Sequence, residues 1–152
     1  MGQLLNLEHV LIRTNHFFET LDFYCNTLGL VELHRKYADN EKEGKYVISF
    51  LGINKDSRCC LEIVQNDDKI LHPIPEKRST FGHFCFLVDN IYELCEHLVK
   101  MNIKIIRPPF DGYEAFIRDP INGLTIQFQQ RISPYYPKEP WISMECQSED
   151  EF

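Results

Sequence analysis

The sequence predicts an α+β fold built from two tandem βαβββ modules. Three observations lead there. A switch from strand period to helix period occurs twice, three more strand-like segments follow each helix, and the two histidines that open the halves, His9 and His83, stand 74 residues apart. At 152 residues and 43% hydrophobic content, the chain can form one well-buried domain or two small modules sharing a core.

The elements follow in order. LEHVLIR alternates as a half-buried strand does. In HFFETLDFYCNTLG, Phe17, Leu21, Tyr24 and Leu28 fall on one helical stripe, and Gly29 stands where a left-handed terminal residue belongs. LVELHRK, KYVISFLG and RCCLEIVQ then read as strands, separated by the polar stretches YADNEKEG and INKDS. HFCFLV opens the second half. Asn90, with Glu93 three residues later, forms an N-cap pair for a helix whose face carries Ile91, Leu94, Cys95 and Leu98, and Asn102 ends that helix much as Gly29 ends the first. IKII, YEAFIRD and LTIQFQQ complete the set, the last two joined by the turn-forming DPING. His9 precedes its helix start near His16 by seven residues, and His83 precedes Asn90 by seven. The modules span about residues 5–68 and 79–130, forming a single domain over 5–130. From residue 131 to 152 the pattern gives way to a Pro-rich, acidic tail, expected to be partly disordered. Pro134, Pro137 and Pro140 exclude regular structure, Tyr135, Tyr136 and Trp141 can dock on the body, and SEDEF is expected to be disordered.

The formal charge of −7 is concentrated in the tail, which leaves −3 for residues 1–131. No Lys/Arg cluster is available to neutralise phosphates, so nucleic acid and anionic membranes are not expected partners. MGQLLNLEHV has no secretory pattern, and no run approaches the roughly 18 apolar residues of a membrane span, so a cytoplasmic location is expected. The six cysteines show no CxxC spacing and are expected to be free thiols; adjacent Cys59 and Cys60 point to opposite strand faces and cannot readily share a metal.

Alternate residues of a strand share a face. LEHVLIR therefore groups Leu7, His9, Leu11 and Arg13, and RCCLEIVQN groups Cys60, Glu62, Val64 and Asn66. In the second half His83, Cys85 and Leu87 go together, as do Thr125, Gln127 and Gln129. One face of each strand is largely apolar and can pack under a helix, while the other collects His9, Glu62, His83, Gln127, Arg13 and Asn66. A sheet curled with that face inward forms a concave cleft in which two imidazoles, a carboxylate and an amide converge. Such mixed nitrogen and oxygen donors suit Zn²⁺, Ni²⁺, Co²⁺, Fe²⁺ or Mn²⁺, with positions left for water or substrate.

EHVLIRTNHFFETLDFYCNTLGL, CLEIVQN, FGHFCFLVDNIYELCEHL and AFIRDPINGLTIQFQ, taken in order over residues 5–130, resemble the vicinal-oxygen-chelate superfamily, and within it the glyoxalase I (lactoylglutathione lyase) family. The resemblance implies the glyoxalase/bleomycin resistance/dioxygenase fold and a divalent transition metal held by His9, Glu62, His83 and Gln127. It also implies a homodimer and glutathione as co-substrate, with Arg13 and Asn66 at positions that contact glutathione. The implied activity is isomerisation of the glutathione hemithioacetal of a 2-oxoaldehyde to an S-2-hydroxyacylglutathione.

The sequence departs from that family in three places. Gln127 replaces a glutamate that is both ligand and base, and because an amide cannot accept a proton near neutral pH, catalysis falls to Glu62. PPFDGYEAF is shorter than the family's active-site loop and lacks its lysine, and Arg78 is one place off the expected arginine. Dioxygenases and antibiotic-modifying transferases of the superfamily also carry a carboxylate at the Gln127 position. The alternatives are a metal-free small-molecule binding protein using the same cleft, or another metalloenzyme such as a 2-His-1-carboxylate iron dioxygenase using His9, His83 and Glu62. An acyl-thioester epimerase would need two opposed bases, and only Glu62 is a carboxylate among the four positions.

Overall fold

The computed structural model describes residues 6–40, 44–66 and 82–146; Arg78 and SEDEF lie outside the described residues. The chain divides into two compact units, Met1–Glu76 and Lys77–Phe152. The first comprises β1 (His9–Arg13), α1 (Phe17–Asp22) running into a π-helical turn (Phe23–Thr27), β2 (Val31–Asn40), β3 (Gly44–Gly52) and β4 (Cys60–Asn66). The second comprises β5 (His83–Val88), α2 (Ile91–Lys100), β6 (Ile105–Arg107), β7 (Glu114–Arg118) and β8 (Thr125–Gln130). Each unit builds a four-stranded sheet, ordered β1-β4-β3-β2 in one and β5-β8-β7-β6 in the other. In both, the first strand pairs parallel with the last and the remaining pairs are antiparallel. The crossover to the central strand is thus the same in the two halves, as expected of tandem βαβββ modules.

The first helix differs from a straight α-helical stripe. Phe17, Leu21 and Tyr24 are buried as their spacing predicts. The wide turn, closed by a hydrogen bond from the Leu28 N–H to the Phe23 carbonyl, then brings Phe23 and Thr27 inward and leaves Leu28 only half-buried. A π turn adds a residue per turn and so rotates everything after it. Gly29 closes the helix at φ +81°, where an L side chain would be strained. Asn102, at φ 58°, does the same for α2.

The predicted cap of α2 is present. Asn90 accepts from the Glu93 N–H and donates its amide to the Glu93 carboxylate at 2.7 Å. The buried face is Ile91, Tyr92, Cys95 and Leu98, with Leu94 displaced to the margin by Tyr92. The cause lies in residues 131–146, which fold back onto this unit. Trp141 is buried and stacks on Tyr92 with ring centroids 6.3 Å apart, Tyr135 packs on the same ring, and the Tyr92 hydroxyl donates to the Tyr136 carbonyl at 3.0 Å. Burial pushes the Cys95 thiol up to about 12, which leaves it a packing residue rather than a nucleophile.

A second repeat, invisible to periodicity, ties strand to helix. The Gln65 side-chain oxygen accepts the first helical N–H of α1, that of Phe17, at 2.9 Å, and Gln130 accepts the first of α2, that of Ile91, at 2.9 Å. Helix starts leave such donors without intrahelical partners. Gln130 also donates to the Asp89 carbonyl at 2.6 Å and is only 3% exposed. Gln130→Leu should therefore destabilise the chain by about 1–3 kcal/mol, because it strands a buried donor and acceptor. Urea unfolding measures this, and a loss within experimental error would show that the bonds carry no net stability.

Candidate metal and substrate site

In the first unit, parallel pairing sets His9 opposite Cys60 and Leu11 opposite Glu62. His9 and Glu62 thus share a face, one reach apart. The imidazole Nε2 lies 2.9 Å from Glu62 Oε2. Behind them, Ile12, Leu61 and Ile63 are buried on the opposite face, toward α1. Glu62 is 8% exposed, which is low for a carboxylate whose only ion-pair partner among the described residues is an imidazole.

His9 is bracketed, with its Nδ1 against the Glu8 carboxylate and its Nε2 against Glu62. The Glu8 hydrogen bond raises the imidazole above its ordinary range; partial desolvation opposes this, and the Glu62 and Glu8 charges add to it. The same bracket fixes the ring. Nδ1 held against Glu8 directs Nε2 to the side where Glu62 stands. Arg13 is exposed at the far end of the same face. The Asn66 backbone pairs with Tyr46, but its side chain lies outside the described residues. Beside that rung a cavity of about 430 Å³ is lined by Tyr37, Asp39, Lys45, Tyr46 and Gln65 among others.

The second unit repeats the register. His83 pairs with Thr125 and Cys85 with Gln127, so Gln127 stands to His83 as Glu62 stands to His9. The His83 ring meets the Phe116 ring edge-on at 5.3 Å. Unlike His9 and Glu62, which stand within ion-pair distance, His83 and Gln127 have no direct side-chain contact of that kind. Gln127 instead donates from Nε2 to Glu114 Oε2 at 2.6 Å.

Glu114 is a carboxylate that the sequence reading missed. β7 pairs with β8 so that Phe116 opposes Gln127 and Glu114 opposes Gln129, which puts Glu114 on the donor face. The signal was available: in YEAFIRD, strand parity groups Glu114 with Phe116 and Arg118, against Ala115 and Ile117. Arg107 holds Glu114 in place. One guanidinium nitrogen donates to the Glu114 carbonyl at 2.8 Å, while the other lies 3.2 Å from Glu114 Oε1 and 2.8 Å from Asp111 Oδ2.

Each unit thus presents two of the four expected donors on one face. Within each unit, among the described residues, no group of three or more His, Cys, Asp or Glu side chains is gathered around one point. The donors fit a divalent ion by chemistry. By residue type they are two imidazoles, one of which has its Nδ1 held against Glu8, a buried carboxylate and an amide oxygen.

A family model described as the Glyoxalase/Bleomycin resistance protein/Dioxygenase superfamily matches residues 6–128. Two bacterial relatives span nearly the same length. A lactoylglutathione lyase of Neisseria meningitidis is 30% identical over 135 residues, covering 85% of this chain and 93% of the relative. A probable lactoylglutathione lyase of Synechocystis is 29% identical over 135 residues, covering 84% and 96%. Among solved structures, a trypanothione-dependent glyoxalase I of Leishmania major superposes with a TM-score of 0.66 at 24% identity, covering 84% of this chain and 87% of that one, a likeness of fold.

Proposed function

Because the chain belongs to the Glyoxalase/Bleomycin resistance protein/Dioxygenase superfamily, we propose that it is a glyoxalase I-like, metal-dependent isomerase. Its substrate is the hemithioacetal of glutathione and a 2-oxoaldehyde, and its product an S-2-hydroxyacylglutathione. The observation that carries the reading is the repeated register, in which His9 with Glu62 and His83 with Gln127 occupy equivalent rungs of two matching ladders. Its similarity to lactoylglutathione lyases along most of its length supports the same reaction.

His9, Glu62, His83 and Gln127 would hold the ion, one of Ni²⁺, Zn²⁺, Co²⁺, Fe²⁺ or Mn²⁺. Such an ion, when bound, polarises the substrate oxygens and stabilises developing negative charge. Glu62 accepts the proton from the carbon bearing sulfur and returns it to the neighbouring carbonyl carbon, while the hydroxyl proton passes to the former carbonyl oxygen, so that the hydroxyl-bearing carbon becomes the thioester carbonyl. Gln127 orients without titrating, because an amide takes no proton in this range. Arg13 engages a glutathione carboxylate through charge-assisted hydrogen bonds, with Asn66 as its partner at the end of β4. We assign a homodimer and a cytoplasmic location with this activity. The six cysteines are all free thiols, which supports a reducing compartment. No helix among the described residues is long and apolar enough to cross a membrane.

The test is to strip the protein with a chelator, reload it with each ion, measure metal content by elemental analysis, and follow thioester formation from methylglyoxal and glutathione. Stoichiometric metal with turnover is expected. A folded, metal-loaded sample that forms no thioester overturns the isomerase, and a sample that retains no ion overturns the metal site.

A further inference from the structure

We propose that Glu114 is a positioning residue that turns Gln127 into an oxygen donor. The inference rests on the metal reading above and concerns a residue outside its four ligands. A glutamine amide has two unlike edges, one of which donates and one of which accepts, and only the oxygen edge can ligate a cation. Something must decide which edge faces the ligand. At Gln127 the deciding group is a carboxylate that can only accept, so the edge 2.6 Å from Glu114 Oε2 must be the NH₂. The oxygen, with no hydrogen-bond partner among the described residues, is left for a ligand.

Glu114 can impose this choice because it is itself held. Arg107 grips both its backbone carbonyl and its second carboxylate oxygen. The guanidinium is fixed in turn by Asp111 and by the Phe110 ring, whose centroid lies 4.4 Å from it. Asp111 also accepts the backbone N–H groups of Tyr113 at 2.9 Å and Glu114 at 3.2 Å. The stretch PPFDGYEAF, which brings no lysine, thus supplies a braced carboxylate beside Gln127, the expected donor that is an amide.

This arrangement makes an isosteric substitution informative. In Glu114→Gln, Arg107 claims the new carbonyl oxygen, because a guanidinium only donates. The new NH₂ then faces Gln127, which must turn its own oxygen toward it and present NH₂ to the ion. The fold is kept and the ligand is inverted. A carboxylate at position 127 has oxygen on both edges and needs no such orientation.

The experiment is a double-mutant cycle on the full chain: wild type, Glu114→Gln, Gln127→Glu and the double variant, each titrated with Zn²⁺ and Ni²⁺ against a chromophoric chelator. Glu114→Gln should weaken binding about 10–100-fold, the usual effect of removing a group that orients a ligand, and should have no such effect in the Gln127→Glu background. Equal losses in both backgrounds would mean that Glu114 only supports the loop, and would overturn the inference; so would no loss in either. A wild type that binds neither ion overturns the metal reading and this inference with it. A second measurement separates the two: in the metal-free protein the side-chain amide hydrogens of Gln127 should be protected from exchange, and Glu114→Gln should release or shift them. An amide indifferent to Glu114 sinks the inference while leaving the metal reading standing.

Discussion

Glu62→Gln should lower kcat for the hemithioacetal by about 10²–10⁴-fold, the usual range for loss of a general base, while KM, metal content and melting temperature stay close to wild type. The substitution is nearly isosteric and keeps an oxygen that can face both His9 and a cation. What it removes is the ability to accept a proton. Glu62 suits the role by position: it is 8% exposed, on the strand central to its half, with His9 Nε2 at 2.9 Å. Glutamine at 127 leaves no second carboxylate among the four donors to share the work. Initial-rate kinetics with matched metal loading decides the matter; a variant retaining a tenth or more of wild-type turnover would remove Glu62 from the reaction.

Trp141→Ala should cost about 3–5 kcal/mol of stability, the range for deleting a buried large aromatic. Trp141 is 2% exposed and stacks on Tyr92, which is 4% exposed. Lys138 sits 4.6 Å from the centroid of the same Tyr92 ring and 3.7 Å from Glu96. Further upstream, the Tyr135 N–H donates to the Gly112 carbonyl at 2.9 Å, and a Cβ at Gly112 would run into the Tyr135 carbonyl oxygen. Residues 112 and 135 therefore meet backbone to backbone. The indole nitrogen finds no acceptor among the described residues, so the stabilisation comes from area and stacking, not from a hydrogen bond. Trp141→Phe should accordingly recover most of what Trp141→Ala loses. Denaturant unfolding of both variants provides the comparison, and an alanine loss below about 1 kcal/mol would mean that the segment is not seated on α2.

The parts of this molecule legible in its sequence are those governed by local rules. Strand parity and the twice-repeated interval from histidine to helix start sufficed to put His9 with Glu62, and His83 with Gln127, on matching faces, because a period of two leaves no freedom once a strand is granted. Gly29, Asn102 and the Asn90/Glu93 pair were readable for the same reason, since each meets a backbone requirement that few residues satisfy. What escaped depended on distant partners. The π turn after Asp22 follows from how Phe23 and Thr27 are buried, not from their spacing. Tyr92 turned inward because Trp141 covers it. Gln65 and Gln130 look like polar strand residues until the helix starts arrive beside them. Glu114 differs in kind: strand parity alone places it with Phe116, but its importance depends on Gln127 and Arg107, which reach it from other strands.

The turn between β7 and β8 carries a consequence for how such a chain can change. Asp119 is 1% exposed, its carboxylate accepts the N–H groups of Ile121 at 2.7 Å and Asn122 at 3.0 Å, and Gly123 follows at φ +72°. That clasp counts residues. One amino acid gained or lost inside it would rotate every β8 side chain through half a revolution and trade the amide at 127 for an apolar neighbour, Ile126 or Phe128. Descent should therefore tolerate new letters in this hairpin but not a new length.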